Sequence, residues 1–246
     1  MFQLPLISYI QEGDLLCALA YLAGCITIIF LVLPFHEYAH GFAAYKLGDP
    51  TAKYSGRLSL NPMRHIDWWG AALIIAVGFG WAKPVPVNSR YFKRPKWDMA
   101  LTALAGPLSN LLLSFAALLL HNGVLMLGVK WELLFMQGGR LLYAPSVIGS
   151  VIFMFLCNML NLIAYLNVGL AVFNLLPIPP LDGSRLLTAM LPNHLYYKIM
   201  QYEQYIMIGL FVLIFVGALD LPLNFLRTGA LAGLEWLADL PFRLFQ

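Results

Sequence analysis

Leu15–Gly41 reads LLCALAYLAGCITIIFLVLPFHEYAHG, an apolar run with no charged residue as far as Phe35 that ends in His36-Glu37-Tyr38-Ala39-His40. On a helix, residues four apart share a face, so His36 and His40 can point two imidazoles at one metal ion. Glu37 sits beside that face, free of the ion and placed to take a proton from a water on it. The plainer alternative is two ordinary histidines on a helix. Titratable groups in an apolar run are costly at membrane depth and need compensation, which a metal supplies. Two histidines leave a tetrahedral site short of a protein ligand, so a third has to come from elsewhere in the chain.

The rest of the chain has the composition of a membrane protein. Of its 246 residues, 61% are hydrophobic and 11% charged, with a mean hydropathy of +0.76. Soluble domains carry about a quarter charged residues. Met99–Val129, Leu141–Leu181 and Gln204–Leu219 are also free of charge, each near or above the ~20 residues that span a bilayer, the last on the short side. Trp68–Ala82 is shorter and fits a segment that enters the membrane and returns. The fold class expected is an all-α polytopic membrane protein with four to six transmembrane or re-entrant segments, in one domain over 1–246. Its core runs over 15–190, followed by a span at 205–219 and an interfacial tail at 228–246.

The start of the chain lacks the basic region of a cleavable signal, so the first span is expected to stay. Cys17, Cys25 and Cys157 all fall in apolar segments at no metal-like spacing and read as small core residues. A net charge of +3 calls for no nucleic acid. The distribution of charge says more. Nine of the fifteen basic residues lie between Lys46 and Lys96, while residues 1–14 hold none. The positive-inside rule places 46–96, and with it the histidine motif, on the cytoplasmic side.

Within that stretch, 51–66 alternates loosely around Gly56 and Asn61-Pro62, which predicts a short β-hairpin or edge strand. Pro84-Val85-Pro86-Val87-Asn88 reads as an extended connector. Either edge could hold a substrate extended near the site. Gly106-Pro107-Leu108-Ser109-Asn110 reads first as a packing kink in a long span. Asn158, Asn161 and Asn167 read as amides bonded between helices. The following span ends in Asn174-Leu175-Leu176-Pro177-Ile178-Pro179-Pro180-Leu181-Asp182-Gly183. Its prolines make an irregular break that delivers Asp182 to the side carrying His36 and His40. A carboxylate there is a candidate third ligand, with capping of a following helix as the alternative.

The two motifs together, with Gly106-Pro107-Leu108-Ser109-Asn110 and Trp81–Asn88, resemble the site-2 protease family of intramembrane metalloproteases, over about residues 15–190 and without a recognisable PDZ or CBS domain. The resemblance implies one Zn2+ per chain held by His36, His40 and Asp182, with Glu37 as general base and acid and Asn174 helping to stabilise an oxyanion. It implies an enzyme of a bacterial plasma membrane whose partners are the lipid bilayer and the transmembrane segments of other proteins, which it cuts. Self-association is left open. Two other readings of the same residues are a divalent-metal transporter and a membrane scaffold without catalysis.

Overall fold

The computed structural model describes residue 11 and residues 15–77, 80–137, 140–143 and 148–243. The first apolar run forms α1 (Leu15–Thr27), a π-helical stretch (Ile28–Val32) and α2 (Leu33–Lys46). Such π stretches tend to sit at functional sites, and this one ends four residues before His36. After a short turn, α3 (Thr51–Tyr54), and α4 (Trp68–Val77), the long α5 (Pro95–Lys130) crosses the molecule. It is followed by α6 (Ile148–Asn174), α7 (Asp182–Met190), α8 (Asn193–Gln201), α9 (Glu203–Phe215) and α10 (Asp220–Asp239).

Among the described residues, three helices are long and apolar enough to cross a membrane: Tyr21–Lys46, Pro95–Lys130 and Ile148–Asn174. Trp68–Val77 and Glu203–Ile214 are apolar but shorter. The helical class expected from the sequence therefore holds, with three candidate membrane-spanning helices among the described residues. The hairpin expected over 51–66 does not. Asp49-Pro50-Thr51 is a helix-start sequence, and Asp49 Oδ1 accepts the Thr51 N–H at 2.9 Å, so 51–54 winds as a helical turn. Gly56 then turns the chain with φ +67°, and Pro62–Arg64 closes a 3-10 turn capped by Asn61. The antiparallel strand pair in the structure lies instead at Leu134–Gln137 and Arg140–Tyr143, with Leu134 opposite Tyr143.

The segment from Trp68 to Ala82 goes out and comes back. Asp67 caps α4 by accepting from Trp69 N and Gly70 N, and Lys83 N donates to the His65 carbonyl at 2.8 Å, so both ends meet. The two limbs touch so closely at Gly70 that an added Cβ would stand 2.0 Å from the Trp81 carbonyl oxygen. This hairpin packs on the first helix through Cys25, Ile29, Ile66, Ala71 and Ile74, and the Tyr21 hydroxyl donates to the Ile74 carbonyl. A second core joins α5, α6 and α10 at Ala117, Leu118, Ala164 and Ala238, with the Ser114 hydroxyl bonded to the Ala164 carbonyl. The tail helix thus starts at Asp220, and one of its faces lies on the bundle; Leu221, Phe225 and Trp236 stay exposed. Of the asparagines, Asn161 bonds His121 of α5 at 3.1 Å, as an inter-helix amide should, whereas Asn167 bonds back to the Ile163 carbonyl in its own helix.

Candidate metal centre

Two elements converge at one point. Helix α2 brings His36, which is 5% exposed, and His40; the proline-rich break after α6 brings Asp182 at the first residue of α7. Their atoms nearly touch. His36 Nε2 lies 3.0 Å from His40 Nε2, and Asp182 Oδ2 lies 3.2 and 3.3 Å from the two. Nitrogen and oxygen ligands at about 2.0–2.1 Å from a tetrahedral ion stand about 3.3–3.4 Å apart, so these three atoms outline one face of such a site. Asp182 Oδ2 is buried with no hydrogen-bond partner, a state that a bound cation would relieve. This is the one group of three His, Cys, Asp or Glu residues fit for an ion among the described residues. The helix α7 has Leu181 as its N-cap, so the Asp182 carboxylate is turned to the imidazoles and not spent on a cap. Gly183 lets it get there. A Cβ at that position would stand 2.2 Å from the Leu175 carbonyl oxygen.

Glu37 stands at the edge of the cluster. Its Oε2 accepts the Val85 N–H at 2.9 Å, which leaves Oε1 for other work. Asn174 ends α6 and donates to the Leu170 carbonyl at 3.0 Å. His36, Glu37 and Asn174 share the wall of a cavity of about 720 Å³, with Trp81 and Pro84 on one side and Phe211 and Arg227 on the other. Of the five residues singled out in the sequence, His36, His40 and Asp182 form the ion cluster, and Glu37 and Asn174 line the cavity beside it together with His36.

Val85 belongs to an extended strap over residues 80–88. Lys83 is fixed at both its backbone groups, by the His65 carbonyl and by the Arg57 guanidinium. The far end is held by Asp49, which is fully buried and accepts the Asn88 N–H at 2.6 Å through Oδ2. No signal in the sequence pairs Asp49 with Asn88; the one legible hint is the Asp-Pro-Thr helix start. An Asp49→Ala protein leaves the Asn88 and Thr51 donors without their carboxylate and is expected to lose about 2–4 kcal/mol of stability. Thermal unfolding in detergent reads this, and a loss below about 0.5 kcal/mol would show that Asp49 does not anchor the strap.

A partly buried two-histidine, one-carboxylate cluster beside Glu37, set among helices of membrane type, defines the class of a membrane protein with a metallopeptidase-like centre. The family model of peptidase family M50 matches residues 24–216, and the chain belongs to that family. It is 42% identical over 194 residues to “Putative zinc metalloprotease YwhC” of Bacillus subtilis, which covers 78% of this chain and 80% of that protein. It is 29% identical over 182 residues to “Putative zinc metalloprotease Rip2” of Mycolicibacterium smegmatis, with 70% of this chain and 60% of that one covered. The Rip2 of Mycobacterium tuberculosis is 28% identical over 218 residues, with 85% and 74% covered. No solved structure matches the chain.

Proposed function

We propose that the protein is a zinc endopeptidase that cuts peptide bonds in the transmembrane segments of other membrane proteins. The observation that carries the reading is the convergence of three ligand atoms beside a largely apolar cavity whose wall includes His36, Glu37 and Asn174. The names of its relatives support zinc as the metal. His36 and His40 would hold it through Nε2 and Asp182 through a carboxylate oxygen. A zinc ion there supplies Lewis acidity for the scissile carbonyl and lowers the pKa of a water toward neutrality.

The remaining steps belong to the chain. Glu37, held by Val85, takes the proton of the attacking water and passes it to the leaving nitrogen. Asn174 turns its amide from the Leu170 carbonyl toward the oxygen of the reacting carbonyl, where a donor is worth most. The walls made by Trp81, Pro84, Leu170 and Phe211 hold an apolar segment and keep bulk water from it. A helical substrate hides its carbonyls in its own hydrogen bonds and must unwind locally to be cut. The strap offers carbonyls for that, with a constraint. Pro84 and Pro86 have no N–H to give, and the N–H groups of Lys83, Val85 and Asn88 are already taken, so from 83 to 86 it can only accept.

The basic stretch from Lys46 to Lys96 supports an active site that opens to the cytoplasmic side of a plasma membrane. The test is metal removal. Purified protein is expected to carry about one zinc per chain, to lose cleavage of a transmembrane-segment substrate with a strong chelator, and to regain it with added zinc. Cleavage that survives complete metal removal would sink the proposal, and so would a protein that binds no metal.

A further inference from the structure

Both imidazoles are met from behind by one face of α5. Thr102, Gly106 and Asn110 are four residues apart and stack along that face. The Thr102 carbonyl lies 2.8 Å from His40 Nδ1. A carbonyl only accepts, so Nδ1 carries a proton, and in the neutral imidazole that binds a metal the lone pair of His40 is on Nε2, the nitrogen that faces the cluster. Gly106 makes room for both rings: a Cβ there would lie 2.4 Å from His40 Nε2 and 2.6 Å from His36 Cε1.

Asn110 completes the face. It is fully buried, its side-chain amide lies 3.0 Å from His36 Nδ1, and its Oδ1 has no hydrogen-bond partner. With the amide nitrogen toward Nδ1, the His36 proton would have to sit on Nε2, pointing into the cluster. Half a turn of the amide exchanges its oxygen for its nitrogen. Oδ1 then accepts from Nδ1–H, and Nε2 is left with a lone pair for a metal.

We propose that Asn110 is a positioning residue for the metal centre: its Oδ1 accepts from His36 Nδ1–H and so commits Nε2 to the ion, as the Thr102 carbonyl does for His40. The proposal rests on the metal-centre reading above. It gives the Gly106–Asn110 stretch a chemical task beyond a packing kink, one that the spacing to Thr102 explains. Groups of this kind, which set the tautomer of a ligating histidine, are worth about 10–100-fold in metal affinity.

The experiment measures zinc affinity of the full-length protein in detergent by competition with a chromophoric chelator. Asn110→Leu fills the same space without an acceptor and is expected to bind zinc about 10–100-fold more weakly. Asn110→Asp keeps an acceptor, cannot donate when ionised, and is expected to stay within about threefold of wild type, a rescue that mere space-filling would not give. Unchanged affinity in Asn110→Leu overturns the proposal. If that variant does not fold, Asn110→Asp decides alone: retained zinc supports the proposal, and a loss of tenfold or more overturns it. Wild type that binds no zinc overturns the metal-centre reading itself, so the two failures are distinguishable.

Discussion

Glu37→Gln is expected to keep its metal and to lose about 10²–10⁴-fold of its cleavage rate, the share that a positioned general base contributes. The substitution is nearly isosteric. Its amide oxygen can still accept the Val85 N–H, so the strap stays where Glu37 Oε2 now holds it. What the amide cannot do is take up a proton. His36 and His40 keep their Nδ1 partners on α5, and neither needs Glu37 to point at Asp182. Metal content by elemental analysis and turnover of a transmembrane-segment substrate, measured on the same preparation, check both halves. Turnover near wild type would show that Glu37 is not the base. A variant without metal would mean that Glu37 is a ligand. The pair of measurements also separates the protease from a transporter, which would hold metal in both forms and cleave the substrate in neither.

How much of this was legible depended on whether the signal was local. His36 and His40 could be paired from the sequence because four residues on a helix fix their relation before any tertiary contact forms. Asp182 could be placed because prolines at 177, 179 and 180 leave that backbone few ways to run, and because a carboxylate in such a break is rare. The return of Trp68–Ala82 was readable from the basic residues at both its ends, and the bond from Lys83 to His65 closes it. The stretch 51–66 was misread for a local reason too. Its loose alternation competes with Asp49-Pro50-Thr51, and the Asp49 carboxylate, which accepts the Thr51 N–H, favours the helical turn.

The rest required long-range contacts that leave no mark on spacing. Val85 reaches Glu37 through a backbone N–H, which any residue but proline could supply, so its identity carries no signal. Asp49 reaches Asn88 in the same way. Asn110 was noticed, but its partner His36 stands 74 residues earlier, and a lone amide in a span reads equally well as helix glue. The tail shows the same limit. Leu231 and Leu234 look like one face of an interfacial helix, and only the packed structure shows that face against Ala117 and Ala164.

Gly106 is where the sequence reading and the structure differ most in consequence, and Gly106→Ala is expected to cost about 100-fold or more in zinc affinity while the protein still folds. A packing kink predicts a different result: some loss of stability, and a normal metal content in whatever folds. The added methyl would meet His40 Nε2 at 2.4 Å, His40 Cε1 at 2.5 Å and His36 Cε1 at 2.6 Å, all of them side-chain atoms. Carbon and nitrogen pack at about 3.5 Å, so both rings must withdraw by about 1 Å, whereas metal sites tolerate ligand distances within about 0.2 Å. Withdrawal also stretches the His40 bond to Thr102 and the His36 contact with Asn110. Stability is cushioned, because Ala is favoured over Gly in a helix by about 1 kcal/mol. Gly123→Ala on the same helix is the control. Its Cβ would meet only Phe242 Cζ at 4.0 Å, so metal and fold should both stay as they are. Zinc per chain and the unfolding temperature of the two variants separate the roles. A folded Gly106→Ala protein that holds zinc as wild type does would return this glycine to helix packing, and α5 would then be a neighbour of the metal centre without shaping it.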